Sequence, residues 1–141
     1  LCMVSIINNF AESILFALCD VKKIANYDSD KINSLLQDSG IVRNRLKIKA
    51  SISNAKAFMK IQEEFGSFNN YIWGAVENKP VVNNYNTHEE VPANTPLSDL
   101  ISKDMKKQGF KFVGSTIIYA YLQAIGIVND HLVSCFRHQE V

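Results

Sequence analysis

The 141 residues carry 15 Lys and Arg against 14 Asp and Glu. A net charge of +1 excludes binding of nucleic acid by bulk charge, so any such affinity must come from where the charges lie. An apolar fraction of 47% with three prolines excludes disordered and fibrous chains, and the length suits a single domain, 1–141, burying roughly two-thirds of its unfolded surface.

The apolar positions fall at helical spacing, with only short alternating stretches, and the pattern reads as all-α. A first helix is expected over about 3–18, with no capping residue ahead of it, and a short one over Val21–Asn26. Asn8, Asn9, Glu12 and Asp20 interrupt the N-terminal apolar stretch before it reaches the ~18 residues of a membrane span. No basic segment followed by a cleavage site marks a signal peptide. A third helix runs from about Ser29 to Asp38 with Ile32, Leu35 and Leu36 on its apolar face. After a Gly40-Ile41-Val42 turn, a long helix covers about 44–65, with Ile48, Ile52, Ala55, Met59 and Gln62 as a core stripe.

Another helix spans about 68–76, and the turn-rich stretch 77–94 reads as a surface loop, not a domain boundary. Thr95 as N-cap and Pro96 at the first helical position open a helix to Gln108, with Lys106 and Lys107 at its negative end and Gly109 beyond it. The last helix covers about 115–125, with Ser115 as N-cap and Gly126 as terminator. A short basic tail holds His131, Cys135 and His138.

Two segments suggest anion binding. In Leu35–Ile48 a helix, a glycine turn and a helix opening on basic residues have the layout of a helix-hairpin-helix, placed at about 29–65. Gly40 would allow the tight turn, the N–H groups at Val42 and the second helix's start would meet a DNA phosphate, and Arg43, Arg45, Lys47 and Lys49 would add charge. The alternative is an ordinary αα-turn with a solvated basic face. The second segment, 110–116, sets Lys111 before Gly114 and Ser115 at a helix start; plain capping chemistry is the stronger reading there.

His131 and Cys135 lie four residues apart, so on a helix both would face one way and could share a zinc ion; unmetallated side chains are the alternative. The three cysteines (Cys2, Cys19, Cys135) are odd in number and unpaired in spacing, which argues against a disulfide framework and for a reducing cytoplasm. Trp73 and Tyr71 read as core or near-core aromatics. Most carboxylates read as surface charges; Glu12 alone sits in a strongly apolar helix, a weak candidate for chemistry.

Taken together, the stretches 36–48, Asn54-Ala55-Lys56-Ala57, 106–116, Gln123-Ala124 with Gly126, and Val128-Asn129-Asp130-His131 with Cys135 resemble the bacterial 3-methyladenine DNA glycosylase I family. The resemblance implies an all-helical glycosylase fold and hydrolysis of the N-glycosidic bond of 3-methyladenine in alkylated duplex DNA, by a monomer in base excision repair. It assigns His131 and Cys135 to two ligands of a structural zinc site. It also implies that the family's remaining ligands, tyrosines and glutamate belong to an N-terminal portion with no counterpart here, and that its Leu-Ser-Trp element survives as Leu1-Cys2-Met3. No catalytic residue is assigned, and excision by these residues alone is expected to fail. The alternative is a non-catalytic DNA-binding remnant.

Overall fold

The computed structural model describes residues 20–140; the expected first helix, with Cys2, Glu12 and Cys19, lies outside the described residues. The chain begins there with two short helices, α1 (Val21–Ala25) and α2 (Ser29–Gln37). Each starts on an aspartate, Asp20 and Asp28, whose carboxylate accepts the backbone N–H three residues on at 2.9 and 2.8 Å. That satisfies a donor the helix cannot use.

The long helix α3 (Arg45–Phe65) is the spine of the molecule. It buries two faces, not one stripe. Ala55, Ile52 and Met59 pack with Ile24, Ala25, Val21 and Tyr27 of the α1 region. Ala57, Ile61 and Phe58 enter the main core with α4 (Phe68–Gly74), α5 (Pro96–Lys107) and α6 (Ser115–Ala124). Gln62, expected in the stripe, is exposed, because the helix turns that position away from both cores. Short side chains at 50, 55 and 57 let the spine approach its neighbours on two sides.

The main core centres on Ile61, Met105, Ile118, Leu122 and Ile127, all nearly or fully inaccessible. Each such side chain contributes about 1.5–3 kcal/mol of apolar burial. Tyr71 and Trp73 pack against this core as expected. The Tyr71 hydroxyl donates to Asp104 at 2.7 Å; burial, reinforced by that carboxylate, pushes its pKa well above the usual tyrosine value.

The helix expected to reach residue 76 ends at Gly74, and the chain turns over Glu77 and Asn78, both with left-handed φ. The stretch 77–94 is a surface loop with structure of its own. Val81–Val82 (β1) pairs in parallel with Val128–Asn129 (β2), so short strands join the otherwise helical fold. His138 Nε2 lies 3.0 Å from the Asn83 carbonyl, and Val133 N–H donates to Tyr85 O at 2.9 Å. The loop is thereby stitched to the C-terminal tail. Thr95 and Ser98 form a reciprocal cap at the start of α5. Gly109 and Gly126 follow the last two helices with φ of 100° and 78°, values a side chain would resist.

Candidate nucleic-acid interface

Two basic turns lie at α3, one leading into its N-terminus and one packed on its side, and they are built differently. At the α2–α3 turn, Gly40 does not take a left-handed φ, so the tight turn does not require glycine for that reason. Its N–H donates to Asp38 Oδ1 at 2.8 Å, and a Cβ would meet the same oxygen at 3.2 Å. Of the N–H groups expected to be free at the start of α3, those of Leu46 and Lys47 are occupied. Asn44 caps the helix, its Oδ1 accepting from Leu46 N at 2.9 Å and Lys47 N at 3.2 Å. The protein thus satisfies two of its own donors where the sequence suggested a phosphate. The basic side chains remain: Arg43 and Arg45 are exposed, although Arg45 is held to Asn33 Oδ1 at 3.1 Å. Val42 and Leu46 are left half or more exposed.

The hairpin between α5 and α6 is the opposite case. Phe110 and Val113 are driven into the core, which holds the turn by both ends. Between them Asn54 of α3 clamps Lys111: Lys111 N donates to Asn54 Oδ1 at 2.7 Å and Asn54 Nδ2 donates to Lys111 O at 3.1 Å. Ser102 Oγ donates to Val113 O at 2.6 Å from the α5 side. Phe112 is forced to a φ of 57°, a left-handed value that costs a non-glycine residue about 1–2 kcal/mol. The Lys111 and Phe112 side chains are exposed.

Ser115 is not the cap of α6. Gly114 is, with φ −65° and no side-chain bond, so among the described residues no side chain caps the N-terminus of α6. Ser115 is the first helical residue, and its Oγ lies 2.8 Å from Ser98 Oγ. A hydrogen bond from Ser115, with one from Asn94, holds the Asp99 carboxyl below its usual pKa. A Cβ on Gly114 would meet nothing within 4 Å. The fold therefore gives no steric reason for glycine there, and the open space lies in front of an uncapped helix end, where oriented N–H groups favour an anion.

α3 sets the spacing of the two turns. Lys60 Nζ reaches Gln108 Oε1 at 3.3 Å and Asn54 grips Lys111, so the hairpin advances toward the N-terminus of α3. Lys47 lies seven residues before Asn54, two turns along the same side and roughly 10 Å away. The two candidate segments, remote in sequence, thus flank one helix. Neither Asn54 nor Phe112 was singled out as functional from sequence. Both lay within matched stretches, 54–57 and 106–116, but nothing in a phenylalanine announces a left-handed turn.

His131 and Cys135 do come together, but not on a helix. The chain turns between them, with Cys135 N–H donating to Leu132 O at 2.8 Å. Cys135 Sγ lies 3.8 Å from His131 Nδ1. Ligands with Zn–S and Zn–N bonds of about 2.3 and 2.1 Å sit roughly 3.6 Å apart on a tetrahedral ion, so this pair fits two of its corners. Among the described residues, no group of three or more metal-binding side chains gathers. Beside the pair, Asp130 accepts from Tyr119 Oη, from Gln123 Nε2 at 2.7 Å and from Asn83 Nδ2 at 2.6 Å. That network ties α6 to the β1 loop; burial first, then Asp130, raises the Tyr119 pKa. No helix among the described residues is long and apolar enough to cross a membrane.

The described helical fold matches solved structures of 3-methyladenine DNA glycosylase I. A crystal structure of 3-methyladenine DNA glycosylase I superposes with a TM-score of 0.80 at 40% identity, covering 92% of this chain and 70% of that one. The Staphylococcus aureus enzyme, in a structure of 3-methyladenine recognition, gives a TM-score of 0.81 at 29% identity, covering 90% and 66%. The Escherichia coli (strain K12) protein DNA-3-methyladenine glycosylase 1 is 43% identical over 116 residues, which is 82% of this chain and 62% of that protein. The family model for methyladenine glycosylase matches residues 7–138, and the chain belongs to that family. It spans less than two-thirds of the length of its Escherichia coli relative.

Proposed function

We propose that this chain holds alkylated duplex DNA for hydrolysis of the N-glycosidic bond of 3-methyladenine, with the 109–114 hairpin as the holding element. The observation that carries the reading is the uncapped start of α6, faced by an unfilled space at Gly114 and flanked by a clamped, exposed Lys111. Three features that bind phosphate converge there: oriented N–H groups, a backbone that can be approached closely, and a positive charge. Arg43, Arg45 and Lys47 at the other turn serve as side-chain contacts to the backbone of the same duplex. The helix-hairpin-helix role thus shifts from residues 29–65 to α5, the hairpin and α6. The relatives named for 3-methyladenine supply the substrate.

Excision requires a base taken out of the stack and held in a pocket. A second reading is DNA holding without excision, since several described carboxylates are already tied to neighbours. Asp104 is engaged by Tyr71, Asp130 by three donors, Asp99 by Asn94, and Glu90 by the Asn86 N–H. Structural zinc belongs to the proposal as well: the His131 and Cys135 donors match two ligands in kind and separation.

Gly114→Ala tests the holding element. Its stability should stay within about 1 kcal/mol of the wild type, since lost cap preference and reduced unfolded-state entropy offset each other. Duplex affinity should fall, because the methyl fills the space before the helix end. Unchanged affinity removes the hairpin from the interface. Release of free 3-methyladenine from methylated duplex by the same chain separates the excising reading from the non-excising one.

A further inference from the structure

Phe112 is the residue that the fold alone does not explain. Its φ of 57° belongs to the region that favours glycine, and its side chain remains 49% exposed. Its immediate neighbours in the turn are firmly placed: Val113 is 2% exposed, and the Lys111 backbone is fastened on both its N–H and its carbonyl by Asn54. The turn is therefore not free to relax, and it presents the ring outward. Among the described residues, the aromatic ring contacts join Phe58, Phe65, Phe68, Tyr71 and Phe110, and Phe112 takes part in none of them. Inside the molecule, an aromatic side chain here has strain against it and only about half of its surface covered. Glycine or asparagine would make the same turn at less cost.

The surroundings say what the ring meets. Lys111 precedes it, exposed, and two residues after it Gly114 opens onto the uncapped end of α6. This cationic, donor-rich rim complements a phosphodiester, and between the phosphates of a duplex lie apolar deoxyribose faces and base edges. Building on the hairpin as the holding element, we propose that Phe112 is a positioning residue that packs its ring on the sugar and groove edge of the strand held there. The strained backbone aims it, and the ring adds contact that charge does not supply. Apolar side chains pressed into a groove are a general means of fixing a protein on nucleic acid.

Charge contacts and apolar contacts respond differently to salt, since only the former release counterions. The test is equilibrium binding of the full chain to a short duplex containing an abasic-site analogue, across a salt series, for wild type, Lys111→Ala, Phe112→Asn and Phe112→Leu. Asparagine tolerates left-handed backbone, so Phe112→Asn should melt at or above the wild-type temperature. Its affinity should drop by about 5- to 10-fold at every salt concentration with the slope unchanged, a loss of the size seen when one aromatic contact is removed. Phe112→Leu should recover part of it. Lys111→Ala should weaken binding and lower the salt slope by about one. If Phe112→Asn binds like wild type while Lys111→Ala does not, the ring is no contact and the hairpin reading stands. If neither changes binding, or the wild-type chain binds no duplex, the hairpin reading falls and takes this one with it.

Discussion

The α2–α3 turn and the α5–α6 hairpin look alike in sequence: each sets a glycine near basic residues at a helix start. Their structures diverge at the cap. Asn44 spends its side chain on the first N–H groups of α3, whereas Gly114 leaves those of α6 open. The hairpin is also anchored, by Phe110 and Val113 in the core and by Asn54 at Lys111, while the other turn leaves Val42 and Leu46 exposed. Similar composition can therefore serve opposite ends, one turn closed on itself and the other held rigid and open.

The largest expected effect contrasts the anchors. Phe110→Ala should cost about 3–5 kcal/mol in urea unfolding, against less than about 0.5 kcal/mol for Leu46→Ala. Comparable losses would show that the two turns are equally embedded. Next, Asn54→Ala removes two hydrogen bonds to Lys111 and should cost roughly 1–3 kcal/mol in thermal or urea unfolding, together with weaker duplex binding. Loss of stability with intact binding would mean that the clamp does not present the hairpin.

Asn44→Ala should cost about 1 kcal/mol and leave duplex affinity unchanged. A gain in affinity would reveal a latent phosphate site beneath the cap. The smallest effect concerns Asp99, whose carboxyl is held low first by Ser115 and then by Asn94. A depressed carboxyl stabilises the fold above its unfolded pKa, and that contribution disappears as pH falls through the folded value. The melting temperature of the wild type should thus drop more between about pH 6 and pH 3 than that of Ser115→Ala. Parallel curves would remove Ser115 from that role.

Much of the helical fold was legible before the structure. Thr95 with Pro96, Gly109 and Gly126 mark boundaries because capping and left-handed turns are local chemistry, decided within a few residues. The family resemblance lay in the same local stretches. Tertiary structure decided the rest. Whether Gln62 faces a core, and which residues the Ser115 hydroxyl meets at the start of α6, depend on partners elsewhere in the chain. The Asn54 clamp on Lys111 joins residues 57 positions apart. The His131–Cys135 approach came from a turn in the tail, not from helical spacing. Periodicity and capping report what a segment prefers; the orientation of Phe112 follows from Phe110 and Val113 both entering one core on either side of it, and no local preference encodes that.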